Sequence, residues 1–385
     1  MKAYKFVFTY GFALFGMFFG AGNLVFPLQI GQISGMHWLW GFLGMTITGI
    51  ILPFLGLFVV KLHRGDYAAF FGNAGTLVRS CLPLLALSLM ASFGGMPRCI
   101  TVAYGGIRYL YPEFSITLFS SIFCAVTFFI CLKEQRIISI VGKMLTPILL
   151  IFFAVLIISG MIHPLETAME ATMNVVPFKA FCNGLHMGYQ TMDLLAAFFF
   201  SALIFTQMRK TLPPEISDKE GIKIAIQAGI LAIFLLMVIY GGMAFLGKNF
   251  AALTANVKPA SMLITIANHL LGNSTALCIC LIIIIACLTT VVALNNIYAQ
   301  YLCTLFHLPR EQFKFVLLGT TIIAFFVSLF DFDGIARLLV PVLEVSYPSI
   351  IILTLISVFY RKPHRIKIMS FYSVLAIALL CRIAG

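Results

Sequence analysis

The chain has 385 residues, 61% of them apolar and 10% charged, with a formal net charge of +12. A soluble domain carries about 25% charged residues, so this chain has too little charge to cover a water-facing surface, and lipid is the simplest solvent for it. The excess of basic residues is therefore not a nucleic-acid signal; it sits in short loops between apolar runs, where it reports topology.

The ten cysteines form no C-x-x-C pair and lie mostly inside apolar segments. They read as small packing residues, not as a metal site or a disulfide framework. The first apolar run is too long and too Gly-rich for a cleavable signal peptide. A spanning helix needs about 20 mostly apolar residues. Eleven runs come close to or exceed this length: 6–30, 36–60, 80–107, 114–132, 144–162, 184–206, 222–247, 273–303, 315–330, 338–359 and 366–381. The connection 248–272 contains Pro259-Ala260-Ser261 and then an apolar stretch, and is expected to lie as a short helix over the membrane face.

Most runs are ordinary Leu, Ile, Phe and Val, but the first is not. It reads Gly16-Met17-Phe18-Phe19-Gly20-Ala21-Gly22-Asn23 and then meets Pro27. Glycines weaken a helix and Pro27 removes a backbone donor. Broken backbone at membrane depth is tolerated only where protein or a watery cavity satisfies it. A broken helix is expected here, although Gly16 and Gly20 also fit close helix packing through G-x-x-x-G.

In the third run Arg98 follows Met96-Pro97 and must face protein or water. Two partners are open to it, Asp193 or an anionic ligand, and pairing with Asp193 is preferred. In the sixth run polar groups from Asn183 to Asp193 penetrate about ten residues. Asp193 is either a buried functional acid or a first-turn residue favoured by the helix dipole. The eighth run carries Ala286-Cys287-Leu288-Thr289-Thr290, whose two hydroxyls either complete an oxygen shell around a hard cation or bond their own backbone one turn earlier. Glu344, in the tenth run, is read as lining a cavity or pairing with Arg337.

The two unusual runs are the first and the sixth. Five helices separate their starts, and an odd number reverses orientation. Two inverted five-helix repeats, each opening with a discontinuous helix, have this arrangement. Half-helix ends offer free N–H groups to a carboxylate and free carbonyls to a cation. With the N-terminus in the cytoplasm, eighteen Lys and Arg fall on the cytoplasmic side. Six fall on the other side, namely Arg108, Lys179, Lys248, Lys258, Arg337 and Arg382.

The segment Gly20-Ala21-Gly22-Asn23-Leu24-Val25-Phe26-Pro27 resembles the signature of the branched-chain amino acid:cation symporters, the LIVCS family. The resemblance continues in order through Met96-Pro97-Arg98, Gly188-Tyr189-Gln190-Thr191-Met192-Asp193, Ala286-Cys287-Leu288-Thr289-Thr290 and Val340-Pro341-Val342-Leu343 with Tyr347-Pro348. It implies an all-α polytopic membrane protein of about eleven transmembrane helices in a LeuT-like, five-plus-five inverted repeat with helices one and six broken. Repeat one would cover about 6–162 and repeat two about 184–359, with an extra helix at 366–381, all in one transporter domain spanning 1–385.

The resemblance also implies import of leucine, isoleucine or valine by Na⁺ symport through alternating access, with H⁺ coupling or another solute of the same fold as the alternative. By motif position, Na⁺ would be held by the carbonyls of Gly16, Phe19 and Ala286 and the hydroxyls of Thr289 and Thr290. The substrate carboxylate would meet the amides of Ala21 and Gly22, and its amine the carbonyls near Phe18 and Gln190–Thr191. Asn23 would be a candidate for a second Na⁺. The expected partners are the substrate and the lipid bilayer, with no nucleic acid and no protein partner inferable, in the cell's inner or plasma membrane. Family members usually have twelve spans against the eleven counted here, and Glu344 is unusual for its position. A membrane-embedded enzyme is the rival class, but the seven His are scattered over seven segments or loops, and neither H-E-x-x-H nor a nucleotide-binding loop occurs.

The orientation is tested by labelling. A single cysteine placed in the 209–220 loop should stay unlabelled when an impermeant thiol reagent is applied to intact cells, and labelling there would overturn the topology.

Overall fold

The computed structural model describes residues 2–63, 65–132, 136–165, 175–211, 218–360 and 364–384, and these are helical with short connections. The helices are α1 (Lys2–Phe18), α2 (Ala21–Ser34), α3 (Trp38–Thr46), α4 (Leu52–Leu62), α5 (Tyr67–Phe71), α6 (Thr76–Met90), α7 (Gly95–Leu110), α8 (Ile116–Leu132), α9 (Arg136–Ile162), α10 (Pro177–Gln190), α11 (Asp193–Thr211), α12 (Asp218–Asn249), α13 (Ala251–Thr254), α14 (Met262–Leu271), α15 (Asn273–Leu305), α16 (Phe313–Ser328), α17 (Phe332–Phe359) and α18 (His364–Ala384). By length and hydropathy alone, seven helical stretches among the described residues could cross a bilayer, accompanied by three shorter apolar helices.

Helix occupies each of the eleven predicted runs. Among the described residues, runs four and five count as the shorter helices Ile116–Leu132 and Thr146–Ile162, the second half of run one is continuous with run two as Ala21–Leu62, run six is not among the seven, and run three counts as one span despite its break. Runs one, three and six are each split into two half-helices, α1/α2, α6/α7 and α10/α11. Run two is interrupted by a π-helical turn over Ile47–Ile51 between α3 and α4. The connection after α12 carries α13 and α14, as the Pro-Ala-Ser segment suggested.

The first break follows from its residues. Gly20 is extended (φ −101°, ψ −170°), and its amide turns back to the Phe18 carbonyl at 3.1 Å. Pro27 lies one turn into α2 and removes a further donor without ending the helix. The sixth-run break sits at Thr191-Met192. The Thr191 hydroxyl caps α10 by donating to the Gly188 carbonyl at 2.8 Å. Met192 takes φ +62°, a conformation that strains a non-glycine residue by on the order of 1 kcal/mol and that accumulates at functional sites. Asp193 is thus the first residue of α11, and it is deeply buried.

The third break was not among those expected. Residues Ala91–Gly94 open a wide turn in which the Phe93 amide reaches the Ser88 carbonyl and the Met96 amide the Ala91 carbonyl. A Cβ on Gly94 or Gly95 would run into the carbonyl oxygens of Leu89 or Met90, so only glycine fits this return of the chain. The Ser92 hydroxyl donates to the Thr320 carbonyl of α16 at 2.9 Å and fixes the turn in place.

Packing repeats the same relation twice. Run one lies along α12 of run seven, and a Cβ on Gly31 or Gly247 would collide with the backbone of the partner helix. Run six lies along run two, and Gly44 and Gly184 meet the opposing backbones as closely. Small residues let the helices approach to backbone contact. Each broken helix is therefore clasped by the second helix of the other half of the chain.

Candidate functional site

The two broken helices meet at a cavity of ≈50 Å³. Its walls include Phe18, Gly20, Ala21, Gly22 and Asn23 from the first break, Thr191, Met192 and Asp193 from the sixth, Gly95 and Arg98 from α7, and Thr290 from α15. Residues from four sequence-distant motifs thus line one small space.

Helix ends account for the chemistry on offer. The first amides of a helix and the last carbonyls have no intrahelical partner. Ala21 and Gly22 open α2, so their amides face the break with the positive end of the helix dipole behind them. Gly16 and Phe18 lie in the last turn of α1, and Phe19 follows it.

A polar node spans the cavity wall. Asn23 Nδ2 donates to the Asp193 carboxylate at 2.7 Å and also contacts the Tyr240 hydroxyl of α12. Asn23 and Tyr240 are fully enclosed and Asp193 is 5% exposed. An acid in a medium of low dielectric needs hydrogen-bond partners; Asn23 donates to it directly, and Tyr240 contacts the same Asn23 amide nitrogen. Sequence reasoning missed Tyr240 altogether, and it assigned Asn23 to a second cation and not to Asp193.

The expected Arg98–Asp193 pair is corrected by this geometry. Both side chains line the cavity, but they form no direct ion pair. Arg98 is 1% exposed and donates through Nη1 to the Gln190 carbonyl at 2.7 Å. Its guanidinium carbon lies 5.5 Å from the ring centres of Phe26 and of Phe332. The cation is held by the C-terminal carbonyl of α10 and by two aromatic faces, while the carboxylate is satisfied by Asn23. Gln190 gives its carbonyl to Arg98 and lines an outer pocket beside Arg337. Thr191 remains on the cavity wall.

On α15 the Thr289 and Thr290 hydroxyls both donate to the Ala286 carbonyl, at 2.8 and 3.2 Å. The backbone-bonded alternative is therefore what the side chains adopt, and it gathers three oxygens on one turn. Thr290 alone of the three lines the cavity, with its Cγ2 3.7 Å from where a Cβ on Gly20 would stand. Gly16, Phe19, Ala286 and Thr289 lie outside the cavity lining. Glu344 lines a pocket between α17 and α18, as one expectation had it, but its ion pair is with Arg382 at 2.5 Å and not with Arg337.

The whole of this region falls within one family description. Residues 3–384 match the model described as "Branched-chain amino acid transport protein". The branched-chain amino acid permease BraB of Bacillus subtilis is 28% identical over 358 residues, covering 90% of this chain and 78% of the relative. The branched-chain amino acid permease BrnQ of Haemophilus influenzae is 29% identical over 381 residues, covering 95% and 84%. Among solved structures, the nucleobase-cation-symport-1 family transporter Mhp1 in a closed conformation superimposes with a TM-score of 0.63 at 15% identity, covering 97% of this chain and 91% of that one. Its inward-facing form gives 0.61 at 16% identity. At these identities the likeness establishes the fold, the LeuT-like arrangement that the broken helices announced.

The node makes a quantitative prediction. Residues that share a hydrogen bond show interaction energies of about 0.5–3 kcal/mol in double-mutant cycles, whereas independent sites add within about 0.5 kcal/mol. Thermal unfolding of the detergent-solubilised protein should therefore show stronger coupling between Asn23→Ala and Asp193→Asn, which share a hydrogen bond, than between Arg98→Gln and Asp193→Asn, which share only the cavity. Strong coupling of the second pair would restore the direct ion pair.

Proposed function

The chain belongs to the branched-chain amino acid transport protein family, and on that premise we propose that it imports leucine, isoleucine and valine by symport with Na⁺ through alternating access, its N-terminus in the cytoplasm. The observation that carries this reading is the meeting of two half-helix breaks, from reversed halves of the chain, at one shared cavity. Such breaks place donors and acceptors at mid-membrane without bringing net charge.

The substrate carboxylate meets the amides of Ala21 and Gly22 at the start of α2. The amine turns to the carbonyls near Phe18 and Thr191. The apolar side chain lies among Met17, Met90, Cys99, Ala196, Phe200 and Leu294, which complete the lining. An apolar pocket distinguishes one methylene by only about 1–3 kcal/mol, so the three branched substrates are accepted together while charged amino acids are refused.

Na⁺ is the co-transported substrate. The carbonyls of Gly16, Phe19 and Ala286 and the hydroxyls of Thr289 and Thr290 are its ligands, and the clustering of the last three within 3.2 Å supports a small-cation shell. Neutral oxygens suit a monovalent ion that must also leave. Binding would tie α1 to α15 and bias one access state over the other. Coupling to H⁺ is a second reading, favoured by one observation: Asp193 is a carboxyl group on the cavity wall, where a proton could ride with the substrate.

Uptake of radiolabelled leucine into proteoliposomes separates these readings. An inward Na⁺ gradient should drive accumulation, isoleucine and valine should compete, and lysine and glutamate should not. Thr289→Ala and Thr290→Ala should each raise the Na⁺ concentration needed for half-maximal uptake, with the Thr→Ser variants much milder. Accumulation driven by a pH gradient alone, with unchanged Na⁺ dependence in both alanine variants, would replace Na⁺ by H⁺.

A further inference from the structure

The geometry points to Arg98 as the anchor of the substrate's carboxylate, a specificity-determining residue that works beside the start of α2; this rests on the amino-acid transport reading above. The guanidinium is a planar fork of five N–H donors. Nη1 is spent on the Gln190 carbonyl. Nε and Nη2 are buried and have no hydrogen-bond partner among the described residues. These two nitrogens form a single edge whose N–H vectors run parallel, and that is the edge that receives a carboxylate through two bonds.

No acid of the protein takes up this edge among the described residues. Asp331 pairs with Lys258, Glu344 pairs with Arg382, and Asp193 is bonded to Asn23. The ring faces of Phe26 and Phe332 flank the guanidinium and keep bulk water from it. A buried cation with half of its donors unspent is costly unless a ligand completes it. Arg98 lines the same cavity as Ala21 and Gly22, so the fork and the positive end of α2 converge on the same anion.

The arrangement also gives Arg98 a second consequence. Nη1 holds the last carbonyl of α10, so a carboxylate on the opposite edge links substrate directly to the half-helix that ends at the sixth-run break. A substrate lacking the carboxylate would leave that link unmade and the fork unsatisfied. Discrimination against such analogues should therefore reside largely in this one side chain.

The test is ligand-induced thermal stabilisation of the purified full-length protein in detergent, titrating L-leucine, leucinamide and 3-methylbutylamine. In the wild type, leucine should bind about 10- to 100-fold more tightly than either analogue. Arg98→Gln should weaken leucine by about that factor while leaving the two analogues unchanged, and Arg98→Lys should recover part of the loss through its point charge. A purely structural arginine would weaken all three ligands in proportion, and that result overturns the proposal. So does a wild type that binds leucinamide as tightly as leucine, a measurement that needs no variant to fold. A wild type stabilised by none of leucine, isoleucine or valine would instead refute the transport reading on which the proposal stands.

Discussion

The hydrogen bond from Asn23 to Asp193 is the constraint around which the rest of the site is arranged. It joins the first turn of α2 to the first residue of α11, positions 170 apart in sequence. A carboxylate in so enclosed a place is tolerated only with partners, and Asn23 supplies one, its amide also touching Tyr240 of α12. Satisfying the acid therefore brings the two helix breaks side by side, with α12 next to them. The weakness of the two helices and the burial of the charge are two sides of one arrangement.

Swapped packing makes such weakness bearable. Run one rests on run seven and run six on run two, each through glycines at backbone contact. A broken helix with unladdered ends is thus held by an unbroken or nearly unbroken neighbour from the other half. The third break, at Ala91–Gly94, adds a different element. It lets α7 begin at Gly95, so that Arg98 stands one turn from a helix start and not in the middle of a straight span. Arg98 then reaches the Gln190 carbonyl and connects α7 to the sixth break as Asn23 connects α2 to it.

Much of this was legible in the chain. Eleven apolar runs located the helices, and the Gly-rich octet ending in Asn23 located the first break within one or two residues. The polar stretch running down to Asp193 marked the sixth. What stayed hidden were contacts between distant positions. Tyr240 sits 217 residues from Asn23 in an unremarkable aliphatic run, and no local pattern distinguishes it. Arg98 and Asp193 were natural partners by charge, but Arg98 turned one nitrogen to a carbonyl end between two aromatic faces, while the Asn23 amide satisfied Asp193. Glu344 likewise found Arg382 on α18, an element whose contact with α17 no periodicity announces. The third break did carry a signal, Gly94-Gly95 two residues before Pro97, in a run otherwise long enough to pass as continuous.

The central claim is that the two breaks act as one unit, and hydrogen exchange measures that directly. Backbone amides around 16–24 and around 188–196 should both gain protection when leucine and Na⁺ are added together, because each helix end then acquires partners. In Asn23→Leu the two segments should respond independently. Protection confined to one break in the wild type, with the other unaffected at saturating ligand, would contradict the account.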